Sequence, residues 1–431
     1  MKIMKNWKTF IIMWFTQGLS SLGSALTHYA IIFWLMNQVY PEISQKQQLS
    51  LAMTAMTLAA TLPGILFSPL LGVWVDRWDR KRIMMMMDIL EGILVIGWVI
   101  GFCILPMPLT LWLSYLLISI MSLLSSFHSI SFQSSYIMIV EEKDLSRGNA
   151  MMQTMWMLSA FLAPALAATL TSIFTEWRLP SLPLILSIDA ITFLISGFSL
   201  LFLSIPSPSK EERKSESTSR STFINELREG IHILWGQPIL IGLLILGFLT
   251  IGAYSSEILL PLLIKEMKIK GGNLFGWSET FAFASLEMAG FLGATVAGAL
   301  LSWKSWNSNR LLTVSLGFSG AMMIGLGFSS FLGMSMVFFF LMLGSETLFR
   351  SLLETQWQQR VPPEVQGRVF GAKRLFSYLA APLGFVFYGW LGGHLAIGLL
   401  LSLTGLMLIL LTVVFNLGFI FISLETKTTI K

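Results

Sequence analysis

Inside an apolar run of the C-terminal half, Glu346, Arg350 and Glu354 follow one another at four-residue spacing. On a helix that spacing puts all three on one face. A charge buried in an apolar segment costs roughly 2.5–3.5 kcal/mol on insertion scales, so each one calls for a reason. A carboxylate held away from water, with a guanidinium one turn distant, can bind and release a proton, which is the chemistry that couples proton entry to solute movement. The alternative is a permanent network in which Arg350 neutralises both Glu346 and Glu354. Glu287 stands in another apolar run with no cation on its own helix, and it is read as a proton-coupling residue. Asp189 and Glu257 are further coupling candidates, or residues that simply reach the interface. Asp88 and Glu91 open a third run, where carboxylates favour a helix N-terminus, and are read as structural. His28 and His128 can titrate near neutral pH, although a lone histidine in a helix is more often a packing residue. With Gln17, Trp156, Tyr254 and Phe349 they form the set of candidate cavity-lining residues.

These residues need membrane helices to hold them. Hydrophobic residues make up 55% of the 431 positions and charged residues 12%, with a mean hydropathy of +0.74. Soluble domains carry roughly 25% charged residues, so too little polar surface exists to face water. At about 20 apolar residues per span, twelve spans are expected. The first six cover about 10–36, 50–75, 83–104, 109–139, 149–174 and 182–204. The second six cover about 238–264, 274–301, 311–330, 332–358, 369–391 and 395–421. The first run is too long for a signal-peptide core and is read as an uncleaved helix.

With the N-terminus inside, all but six of the 28 Lys and Arg residues fall in cytoplasmic segments; Lys46, Arg178, Lys265, Lys268 and Lys270 lie outside and Arg350 within a span. The excess of internal positive charge orients both termini to the cytoplasm of a multi-pass inner-membrane protein. The Lys265–Lys270 cluster is a local exception, ascribed to snorkelling. The net charge of +5 is dispersed, so no nucleic-acid face is expected, and the single Cys103 excludes a disulfide framework or a cysteine metal site. The Ser- and charge-rich stretch after Pro206 cannot bury enough apolar area to fold alone. The expected organisation is therefore a bundle at 1–205, a cytoplasmic linker at 206–236, a bundle at 237–422 and a tail at 423–431. Duplicated six-helix halves place a substrate site between them at the midplane.

The loop after span 2 carries Gly72, Asp76, Arg77, Asp79, Arg80, Lys81 and Arg82. Gly72 permits close helix approach, Asp76 suits a helix N-terminus or a cation, and the basic run suits the anionic inner leaflet. This pattern resembles the signature loop of the major facilitator superfamily. Glu141-Glu142-Lys143-Asp144-Leu145 with Arg147 and Asn149, Ile188-Asp189-Ala190, and Val361 to Phe370 resemble the macrolide-efflux type of exporter within it. The resemblance implies a major facilitator fold in two pseudo-symmetric six-helix bundles, a conformational gate at the Gly72–Lys81 motif, and export. It departs where drug antiporters carry an Arg in span 4, since Met121 stands there. The span 5 motif is reduced to Ala163-Pro164, and the second loop copy decays across Gly298 to Arg310.

Fifteen Trp, 32 Phe and 25 Met make an adaptable interior, suited to a large amphipathic compound rather than a sugar or inorganic anion. The expected activity is proton-driven export of a drug, macrolide or natural product by a monomer, with no cofactor and no metal. The alternatives are an uncoupled facilitator of lipid-like or peptide-like molecules and a non-transporting sensor. P-loop, HExxH and GxSxG sequences do not occur, so no enzyme chemistry is expected.

Overall fold

The computed structural model describes residues 7–205, 220–303, 308–362 and 365–428, with side chains excluded at 68–70, 72–73, 76–77, 220–227, 308–309 and 418–428. The chain is 91% helical and has no sheet among those residues. Six long helices come first: α1 (Trp7–Trp34), α2 (Lys46–Arg77), α3 (Arg80–Ile104), α4 (Met107–Ile139), α5 (Leu145–Glu176) and α6 (Ser181–Phe202). The second set is α7 (Arg220–Trp235), α8 (Pro238–Tyr254), α9 (Leu260–Ile269), α10 (Glu279–Trp303), α11 (Ser308–Phe328), α12 (Leu332–Arg360), α13 (Gln366–His394) and α14 (Ile397–Thr428). Among the described residues, twelve segments are long and apolar enough to cross a membrane. In lipid every backbone amide must be paired within the chain, which is why such runs resolve as helices.

Two departures from the expected spans fall in adjoining segments of the second half. The seventh is broken: Ser255–Leu259 form a 3-10 turn between α8 and α9, just before Pro261, whose missing N–H is tolerated in the first turn of the new helix. The eighth starts at Glu279 rather than 274. Before it the chain turns through Gly271, Phe275 and Gly276, all at positive φ, a backbone conformation that glycine adopts without strain.

Two compact units emerge. The first comprises Met1–Pro41 with Ala55–Ser217, and the second Glu42–Thr54 with Thr218–Lys431. In the first, α1 packs on α5 and α6, and α3 on α4 and α6. In the second, α8 packs on α13 and α14, and α11 on α12 and α14. The same pairings recur one half later, the signature of two six-helix bundles built alike.

The α11–α14 contact shows what small residues do without water to drive association. A Cβ added to Gly398 would lie 2.2 Å from the Gly327 carbonyl oxygen, so the two backbones meet directly. Gly398→Leu must push them apart. Overpacking of this kind costs about 1–3 kcal/mol, and the variant should lose its monodisperse size-exclusion peak at a temperature several degrees below wild type; an unchanged profile would mean the helices separate freely.

Candidate functional site

In the second unit, Glu346 lies at the middle of α12 and is 5% exposed. Its Oε1 pairs with the Arg350 guanidinium at 2.5 Å, while Oε2 is buried without a hydrogen-bond partner. The guanidinium lies 5.9 Å from the Tyr254 ring centroid, and the Tyr254 hydroxyl donates to Ser319 Oγ at 2.8 Å. The break after α8 brings Glu257 alongside. Its Oε1 is also buried and unbonded, and the charges of Glu346, Glu287 and Arg350 all act on it. Thus α12 and the 3-10 turn bring Glu346 and Glu257 together at Arg350, and the charge of Glu287 on α10 acts on Glu257; sequence reasoning placed the three carboxylates on separate helices.

The expected neutral trio is corrected in one respect. Glu354 bonds Lys373 of α13 and not Arg350, because Lys373 reaches across from the neighbouring helix. Lys373 also lies 5.2 Å from the Trp357 ring centroid. Phe349, Arg350, Glu354, Trp357 and Lys373 line a cavity of about 310 Å³ together with α8 residues such as Leu243 and Thr250. The walls are mainly aromatic and aliphatic, with the charged side chains of Arg350, Glu354 and Lys373 among them.

The first unit holds a second polar group. Gln17 Nε2 donates to Asp88 Oδ2 at 3.0 Å, and His128 Nε2 stands 3.3 Å from Asp88 Oδ1. Asp189 accepts from Thr27 at 2.7 Å and from Ser24 at 3.4 Å. It is completely buried. The reading of Asp88 and Glu91 as helix-start carboxylates is overturned. Asp79 caps α3, accepting from Arg82 N, so Asp88 and Glu91 lie two and three turns in and are 1% and 2% exposed. The helix begins earlier than hydropathy implied because charged Arg80–Arg82 belong to its first turn. His128 is accordingly not a lone packing histidine, a partnership invisible without the fold.

The cavity candidates divide. Phe349 lines the larger cavity. Gln17 and Tyr254 are buried and engaged in the bonds above. A smaller cavity of about 240 Å³ lies between α1 and α5, lined by Trp14, Met155 and Leu158 among others. Trp156 is 46% exposed and lines neither cavity. His28 is exposed, with its ring 5.4 Å from that of Tyr29.

Of the loop motif, the side chains of Gly72, Asp76 and Arg77 lie outside the described residues. The remainder pins the start of α3 to its neighbours. Arg80 donates to the Ser134 carbonyl of α4, and Lys81 to the Leu201 carbonyl of α6.

Sequence reasoning also missed Glu266, at 9% exposure. It pairs with Lys46 at 2.6 Å and Lys270 at 3.7 Å and accepts from the backbone N–H of Ile397 at the start of α14. Lys268 pairs with Glu279 at 2.9 Å. The lysine cluster that seemed anomalous is therefore held by carboxylates. A Glu between Lys265 and Lys268 was the available signal.

Twelve apolar helices in two like bundles, with carboxylates buried in each, define a multi-pass membrane transporter. The profile of the Major Facilitator Superfamily matches residues 13–385, and the chain belongs to that family. It is a transporter rather than an enzyme. Macrolide efflux protein A of Streptococcus pyogenes is 27% identical over 419 residues, covering 95% of this chain and 96% of that protein. The protein of the same description from Enterococcus faecalis is 28% identical, covering 77% and 98% respectively. Among solved structures, a bacterial homologue of the iron transporter ferroportin superposes with a TM-score of 0.65 at 17% identity, covering 95% of this chain and 98% of that one. A structure from work on proton-dependent oligopeptide transporters superposes with a TM-score of 0.66 at 13% identity, covering 95% and 98%. Likeness at these identities establishes the fold.

Proposed function

We propose that the protein is a proton-driven exporter of a moderately large amphipathic compound, of the macrolide or natural-product class. The reading rests above all on Glu346: a buried carboxyl with one oxygen on Arg350 and the other unbonded, on the helix that also supplies Phe349 and Arg350 to the larger cavity. A proton on Glu346 weakens its hold on Arg350, and that guanidinium is at the cavity wall. Proton binding and solute binding are thereby linked through one ion pair. Glu257 and Glu287 are the proton's neighbouring stations. The Gly72–Lys81 loop is the conformational gate of an alternating-access cycle, and its Arg80 and Lys81 contacts keep the start of α3 in place. The chain functions as a monomer in the plasma membrane with both termini cytoplasmic, on the charge distribution given above.

Inverted vesicles containing the protein should accumulate a radiolabelled macrolide when acid inside, and a protonophore should abolish the accumulation. Uptake indifferent to the gradient would replace antiport with facilitated diffusion, the reading favoured by the absence of Arg and Lys from 109–139. No uptake beyond protein-free vesicles would remove macrolides as substrate.

A further inference from the structure

The buried group around Asp88 takes no part in the function proposed above, and its geometry is not that of a packing contact. Asp88 is shared between two helices through different oxygens. Gln17 of α1 fixes Oδ2 with an amide N–H at 3.0 Å, and that bond sets the plane of the carboxyl. Oδ1 is thereby presented to His128 Nε2 of α4 at 3.3 Å. The His128 side chain keeps 14% of its surface exposed, against 2% for that of Asp88, and its buried Nε2 faces Oδ1 at ion-pair distance without a formed hydrogen bond. From α6, the backbone at Gly197 abuts Asp88, since a Cβ there would lie 3.1 Å from Asp88 Cβ. Beside it, Ser196 is completely buried, with its hydroxyl close enough to the Asp88 carboxyl to act on it.

The charges facing the pair complete the argument. Glu91, one turn along α3, feels both Asp88 and Asp189 of α6. The facing groups are thus Glu91 on α3, His128 on α4, Asp189 on α6 and the neutral Gln17 on α1. Three carboxyl groups and one imidazole cannot all be ionised in an apolar bundle without leaving charge uncompensated. The balance is made by protons.

We infer that Asp88 and His128 form a second proton-binding site, in the first bundle, separate from the Glu346–Arg350 pair of the second. Its ligand is a proton that enters at the imidazole and is exchanged with Oδ1, with Gln17 as the positioning residue. With His128 protonated and Asp88 ionised the pair is neutral; each proton gained or lost changes its charge by one. That the bound proton drives transport rests on the antiport reading, whereas its binding does not.

Infrared difference titration of the full-length protein in lipid nanodiscs tests the binding without any solute. Wild type should show carboxyl bands that change with pH, and Asp88→Asn should remove one of them. His128→Gln should keep that band and displace its midpoint by about one pH unit. Glu346→Gln, in which the other pair is disabled, should leave it in place. All variants are compared as monodisperse peaks on size exclusion, and His128→Gln, which retains the side chain's polarity, serves if Asp88→Asn does not fold. A spectrum in which Asp88→Asn or His128→Gln titrates as wild type overturns the site. Loss of gradient-driven uptake in Glu346→Gln bears only on the antiport reading.

Discussion

Glu346→Gln should abolish gradient-driven accumulation while leaving solute exchange across the membrane intact. Glutamine preserves the volume and one oxygen acceptor toward Arg350, so the α12 helix and the aromatic wall at Phe349 and Trp357 keep their form. What it removes is the ability to carry a proton. Without that, each return of the cycle lacks its driving ion, and accumulation should fall at least about tenfold, which corresponds to 1.4 kcal/mol of lost coupling. Exchange of labelled for unlabelled macrolide at equal concentrations needs no net proton and should continue. Both activities failing together would mean a structural residue, and both surviving would place coupling at Glu287 or Glu257. Glu287→Gln then separates those two. The comparison is informative because the second oxygen of Glu346 has no partner to lose, so the substitution strands no buried hydrogen bond.

The largest effect on stability should come from Glu266→Ala. One carboxylate receives Lys46 and Lys270 and accepts the buried backbone N–H of Ile397 at the start of α14. Its loss leaves the Lys46 ammonium, 16% exposed, with the Leu395 carbonyl as its remaining bond. Removing one member of a buried pair costs about 3–5 kcal/mol, mostly the penalty of the charge left behind. At 2–4 °C per kcal/mol for a unit of this size, the unfolding midpoint in detergent should fall by about 10 °C. Glu266→Gln keeps an acceptor for the Ile397 N–H and should lose less. Lys46→Ala should lose less again, since it strands no cation and the cap survives. An order in which Lys46→Ala is the worst of the three would show that α2 packing, not the carboxylate, holds this corner.

Composition and hydropathy were sufficient for the membrane class and the twelve spans, because the hydrocarbon core imposes one length and one backbone solution on every segment. The loop motif was legible for a related reason: its residues are contiguous, and the described members act on elements next to it in the bundle. Glu346 and Arg350 were visible as a pair since four-residue spacing on one helix is itself a spatial statement. The partnerships that cross between helices were not. Lys373 takes Glu354 from Arg350, His128 meets Asp88, and Glu266 gathers Lys46 and Ile397 from positions 220 and 131 residues away. Neither α3's earlier start nor the break before Pro261 changes the hydropathy of its segment much, yet the first buries Asp88 and the second delivers Glu257 to the cluster. Hydropathy says how deep a residue lies along its own helix axis. Which face it turns, and what stands opposite, follows only when neighbouring helices have packed.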